Sequence, residues 1–159
     1  MKQLVVYYSR TGNTKKAAEA LAAMLKCEIE ELTDKKGAKS RQGLFGWLRC
    51  GREGMKRVMP EIEATKNDSA KYDLVIIGAP NWGSNMASPV RTYLANNKGK
   101  FKKVAFFCTM GGESPGKTFI EMEEICNKMP VACIGLRSKA VKKGEHIPKL
   151  KEFAKKIMQ

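Results

Sequence analysis

Leu4-Val5-Val6-Tyr7-Tyr8, followed at once by Ser9-Arg10-Thr11-Gly12-Asn13-Thr14, is an apolar run that gives way to a loop crowded with hydroxyls. Beyond it, Thr14 to Lys26 repeats Ala17, Leu21, Met24 and Leu25 on one face, the spacing of an amphipathic helix. A strand that turns sharply into a helix leaves the first helical N–H groups pointing at the loop, where they favour an anion. Thr11, Asn13 and Thr14 add side-chain donors, and Gly12 supplies a turn that a side chain would hinder. Ser, Thr and Asn also serve as ordinary helix caps, but a cap needs one such residue and here four crowd into six positions.

The same unit recurs along the chain. Apolar runs at Leu4 to Tyr8, Glu28 to Leu32, Leu74 to Ile77, Val104 to Phe107 and Val131 to Leu136 alternate with amphipathic segments. Those segments lie at Thr14 to Lys26, near Pro89 to Asn96, at Lys117 to Lys128 and at His146 to Met158. Parallel neighbours need a crossover, and a crossover helix packs on the sheet, so the pattern predicts a doubly wound α/β fold with helices on both faces. With 159 residues, 43% of them hydrophobic, the chain fits a single domain over 1–159.

The segment from 35 to 60 breaks the rhythm, being basic and rich in glycine yet carrying Leu44, Phe45, Trp47, Leu48 and Met55. The expectation is a second crossover helix over 45 to 58 that hides these residues against the sheet, entered by a loop from Gly37 to Gly43. A flap over a ligand, or a surface for a partner, is the competing reading.

Ligands of open parallel sheets bind beyond the C-terminal strand ends, so the loops after the first, third and fourth strands are the places to look. After the third strand comes Gly78-Ala79-Pro80-Asn81-Trp82-Gly83-Ser84-Asn85-Met86. Trp82 stands between Asn and Gly with little strand or helix to pack into, which favours a stacking platform for a flat ligand over a core residue. After the fourth strand comes Cys108-Thr109-Met110-Gly111-Gly112-Glu113-Ser114-Pro115-Gly116.

A hydroxyl residue, any residue, then Thr11-Gly12-Asn13-Thr14 directly after the first strand resembles the phosphate loop of flavodoxins, and the order and spacing of the whole chain follow that family. The resemblance implies a five-stranded parallel sheet in the order 2-1-3-4-5 and noncovalent FMN at the strand ends, used for electron transfer. It places the phosphate on Ser9, Arg10, Thr11, Gly12, Asn13 and Thr14. The flavin ring falls between Pro80, Asn81, Trp82, Gly83, Ser84, Asn85 and Met86 on one side and Thr109, Met110, Gly111 and Gly112 along its pyrimidine edge. Gly83 is the candidate for a peptide that flips beside the flavin N5 on reduction. Two positions depart from the family: Arg10 puts a cation beside the phosphate, and Met110 stands where many members carry a second aromatic. That leaves the second ring face open, covered by Met110, or reached by Trp47.

Rival chemistries are poorer. Gly111 to Thr118 is a literal G-x-x-x-x-G-K-T between a strand and a helix, the context of a nucleotide-binding P-loop. Such a site needs an acidic residue at the end of a second apolar strand to hold magnesium, and none of the five runs ends that way. His146, the single histidine, reads as a surface residue rather than a base, so no catalytic triad or histidine metal site is expected. Five cysteines without a C-x-x-C pair suggest neither a disulfide framework nor a zinc site.

The formal charge of +14, densest over 35 to 57 and 137 to 156, points to an acidic partner. With the resemblance it implies acidic redox proteins, ferredoxin-like or oxidoreductase, in preference to nucleic acid. No run approaches the roughly 18 apolar residues of a membrane span, and no signal peptide precedes the first strand, so the chain is expected to be cytoplasmic. The expected function is electron carriage, with an FMN-dependent NAD(P)H:quinone or flavin reductase as the alternative and a P-loop nucleotide hydrolase third.

Overall fold

The computed structural model describes residues 1–35, 37 and 39–159. In chain order its elements are β1 (Gln3–Tyr7), α1 (Asn13–Leu25), β2 (Glu28–Glu31), α2 (Gly43–Met55), β3 (Leu74–Trp82), β4 (Asn85–Met86), α3 (Ser88–Asn96), β5 (Val104–Met110), α4 (Thr118–Cys126), β6 (Cys133–Arg137), α5 (Ser138–Lys143) and α6 (Ile147–Ile157). Five parallel strands form one sheet in the order β2-β1-β3-β5-β6, with the two-residue β4 paired antiparallel to the end of β3. Without β4, this is the expected order 2-1-3-4-5.

The sheet is covered on both faces because its central strands are apolar at nearly every position; β1 and β5 are buried throughout. Alternate residues feed opposite cores. Leu4, Val6, Val75, Ile77 and Phe106 meet Val90, Leu94 and Met122 of α3 and α4, while Val5, Ile76, Ala105 and Phe107 meet Leu21, Val141, Leu150 and Phe153 of α1, α5 and α6. Gly78 is required here, since a Cβ on it would overlap the Phe107 ring. No described helix is long and apolar enough to cross a membrane.

Three sequence expectations need correction. The third strand does not stop at Ile77; it runs on to Trp82, because Pro80 pairs with Thr109 on the β5 side, past the end of β1, where its missing N–H breaks no ladder. The helix expected over 45 to 58 forms at Gly43–Met55, but it does not bury its large apolar residues: Leu44, Phe45, Trp47, Leu48 and Met55 are all exposed. Gly46, Cys50, Glu53 and Gly54 face inward instead, and a Cβ on Gly46 or Gly54 would overlap the backbone of Arg41 or Trp82.

His146 is the third correction. It is 1% exposed, since the left-handed Gly144 turn after α5 folds α6 back and carries its N-cap residue inward. Neither ring nitrogen has a hydrogen-bond partner among the described residues. Burial, then the nearby Lys16 ammonium, push its pKa below the ordinary 6.5. A folded pKa below the unfolded one means the unfolded chain takes up the proton first as pH falls. The stabilisation is complete above about pH 6.5 and is lost as pH drops through the folded value. His146→Phe should flatten the stability curve between about pH 7 and pH 5; urea midpoints with the same acid slope as the parent would show that His146 does not carry it.

Candidate functional site

The turn from β1 into α1 leaves its donors open. Gly12 takes a left-handed conformation (φ 94°) at the helix N-cap. Ser9 does cap the helix, its Oγ accepting from the Gly12 N–H (3.1 Å) and the Lys15 N–H (3.2 Å). The Thr11, Asn13 and Thr14 N–H groups have no partner among the described residues, and the first turn of α1 carries no acidic residue to answer the helix dipole. Arg10 reaches across to donate to the Arg41 carbonyl at 3.0 Å. The Thr14 and Thr109 hydroxyls, both buried, lie 2.7 Å apart and tie this loop to the end of β5.

Beside it, β3 and β4 form a hairpin turning at Gly83 and Ser84, whose positive φ values (58° and 65°) give the paired left-handed geometry of a tight two-residue turn. Asn81 holds it in place: its Oδ1 accepts from the Ser84 N–H (3.1 Å), and its amide donates to the Pro115 carbonyl (2.7 Å) and Thr118 Oγ1 (3.0 Å). From below, the buried Glu121 carboxylate accepts the Met86 N–H (3.1 Å) while paired with Arg91 (2.8 Å).

Helix α2 closes the third side. Its inward Glu53 accepts from Arg41 (2.8 Å), Arg49 (2.7 Å) and Ser88 (2.8 Å). Burial alone would push the Glu53 pKa up, yet these hydrogen bonds hold it below the ordinary carboxylate value. Arg41, 1% exposed, also pairs with Asp34 and lies 5.4 Å from the Trp82 ring centroid. Trp82 therefore has something to pack into, contrary to the sequence argument. It is 5% exposed, edge-on to Tyr8 at 5.6 Å, beneath α2.

Together these elements enclose a cavity of about 500 Å³ at the strand ends, within the range of small-molecule sites. Of the residues expected from sequence, Arg10, Thr11, Asn13, Thr14, Pro80, Asn81, Trp82, Gly83, Thr109 and Gly111 line it. Ser9, Gly12, Ser84, Asn85, Met86, Met110 and Gly112 are not on its wall. Ser9 points back into the helix cap, Met86 is in the core, and Met110 packs against Gly135. Met110 thus does not cover a ring in this cavity. Trp47, Leu48, Gly51, Arg52 and Met55 of α2 line its open side, with Ser138 and Lys142 of α5 near the phosphate loop. Of these only Trp47 was anticipated, and α5 was missed because six residues are too few for a periodic signal.

The P-loop look-alike is bound up in the fold. The Lys117 N–H donates to the Ser84 carbonyl (2.7 Å), the Gly116 N–H to Ser114 Oγ (3.1 Å), and Thr118 is fully buried. Those are groups a nucleotide site would turn toward phosphate and magnesium.

Known proteins share this fold. The family model described as Flavodoxin matches residues 2–146. A flavoprotein from Lactobacillus acidophilus in complex with FMN is 27% identical over 89% of this chain and 97% of its own, with a TM-score of 0.71. Oxidised Flavodoxin 2 from Bacillus cereus is 17% identical and shares the fold over 98% of this chain and 97% of its own (TM-score 0.60). A flavone reductase, 10% identical, shares it over 97% of this chain and 60% of its own (TM-score 0.58). Open donors at the N-terminus of α1, apolar walls and a family match over nearly the whole length lead to one conclusion: this chain belongs to the flavodoxin family.

Proposed function

We propose that this protein is an electron carrier that serves acidic redox partners, ferredoxin-like proteins or oxidoreductases, through FMN held in the cavity at the strand ends. One observation carries the reading: the cavity at the strand ends, about 500 Å³, is of single-ligand size. A reductase needs a second substrate seated over the flavin, whereas a carrier needs only an accessible ring edge. Bound FMN supplies the redox chemistry, since it takes up and gives back electrons singly or in pairs. The chain's own work is to bind, orient and shield it. Thr11, Asn13 and Thr14 would present N–H groups to the phosphate, Arg10 would add charge, and Trp82, Trp47, Leu48 and Met55 would wall the ring.

The apolar α2 wall on the open side favours a second reading, an FMN-dependent NAD(P)H:quinone or flavin reductase, because it offers a ring-shaped substrate a surface. Anaerobic mixing with NADPH separates the two. A carrier stays yellow until a partner reductase is added; bleaching by NADPH alone would make it a reductase.

Gly83 is the proposed switch. The Trp82 carbonyl rests against Gly54 of α2, so a flip of the 82–83 peptide moves that oxygen off the helix. Alanine at 83 would hold φ 58° at a cost of about 1–2 kcal/mol, with its Cβ 3.0 Å from the Gly51 carbonyl. Gly83→Ala should therefore alter the separation between the two one-electron potentials of the bound cofactor. An unchanged separation in a redox titration would rule the switch out.

A further inference from the structure

The outward face of α2 is an apolar surface that the fold leaves in water. Helices of this kind usually turn large apolar residues inward, but α2 buries Gly46, Cys50, Glu53 and Gly54 and presents Leu44, Phe45, Leu48 and Met55 to solvent. Trp47, Leu48 and Met55 also line the cavity, so a bound cofactor takes up part of their surface. Leu44 and Phe45 do not line it, and at 71% and 85% exposed they protrude from the first turn of the helix.

Along 39–59 the exposed charges have one sign. Lys39, Arg49, Arg52, Lys56 and Arg57 are exposed, whereas the segment's single carboxylate between 39 and 59, Glu53, is buried among its arginine partners. Lys39, Arg52 and Lys56 have no ion-pair partner among the described residues. The chain as a whole carries +14.

We propose that α2 docks the protein on an anionic lipid surface, with Leu44 and Phe45 entering the headgroup boundary and Lys39, Arg52 and Lys56 meeting lipid phosphates. Apolar side chains flanked along the helix by exposed cations are what an interfacial helix needs. A bilayer asks for no matching shape, so protruding side chains suit it better than they suit a flat protein interface. A second copy would set the same cations against one another. The docking does not depend on the electron-carrier reading; it brings the mouth of the cavity to the membrane plane, because face and cavity wall share Trp47, Leu48 and Met55.

The test is co-sedimentation of FMN-loaded protein with vesicles of phosphatidylcholine alone or mixed with phosphatidylglycerol. The expected result is binding to the anionic vesicles, at least about tenfold weaker without phosphatidylglycerol and weakened by salt. Leu44→Ser and Phe45→Ser should each lower the anionic binding several-fold, roughly in proportion to the apolar area removed, while the flavin absorption spectrum stays unchanged. Equal binding to both vesicle types, or no binding, overturns the proposal. So does parental vesicle binding by both variants, which would assign the adhesion to net charge alone. If Phe45→Ser instead abolishes self-association in sedimentation velocity, or slows reduction by an acidic ferredoxin with vesicle binding intact, the face belongs to a second copy or to an acidic protein.

Discussion

Arg41→Met is expected to destabilise the protein by about 3–5 kcal/mol, the range for removing one partner of a buried ion pair. Arg41 is fully buried and joins Asp34 to Glu53, with Nε and Nη2 both on Glu53 Oε2 at 3.0 and 2.8 Å. Methionine fills much of the volume but leaves Glu53 charged in a site where only Arg49 and Ser88 still donate to it. For a chain of this size the loss corresponds to a fall in Tm of roughly 10 °C. Arg41→Lys should recover part of it, since lysine keeps the charge but lacks the fork that meets two carboxylates. FMN affinity should fall as well, because Arg41 anchors the start of α2 and its carbonyl receives Arg10. A loss below about 1 kcal/mol in denaturant titrations would mean that the network is not holding α2 in place.

Riboflavin, which has the same ring and ribityl chain but no phosphate, is expected to bind at least about 100-fold more weakly than FMN at low salt. Hydrogen bonds to a charged group contribute about 1.5–3 kcal/mol each, so two of the three open N–H groups at Thr11, Asn13 and Thr14 suffice for that ratio. Arg10→Gln should reduce the FMN advantage by about tenfold and change riboflavin binding far less, because the lost cation would stand beside a phosphate that riboflavin lacks. Added salt should narrow the gap in the parent by screening the same charges. Quenching of flavin fluorescence measures both affinities; near-equal values would remove the phosphate from the 9–14 loop.

Much of this molecule was legible from local pattern. Buried parallel strands read as continuous apolar runs, which is why β1, β3 and β5 were placed and their order followed from the family. The loop after β1 was legible because its donors cluster within six residues. What failed was information that only tertiary contact supplies. Trp82 looked unsupported between Asn and Gly, yet α2, distant in sequence, lies across it. Met110 occupied the position of a ring cover but turns to Gly135 because that glycine leaves room for it. The apolar residues of α2 obeyed a helical period, and periodicity cannot say which side faces inward when glycines permit close approach on the other. His146 was read from its charged neighbours, and its burial depended on a single left-handed glycine.

We propose that the N-terminus of α1, and not the P-loop look-alike ahead of α4, holds the cofactor phosphate. Amide proton shifts during titration of the apoprotein with FMN test it most directly. The Thr11, Asn13 and Thr14 N–H resonances should move strongly downfield with FMN and far less with riboflavin, while those of Gly116 and Lys117 keep their internal partners and move little. Large phosphate-dependent shifts over 111–118, with 11–14 unmoved, would contradict it.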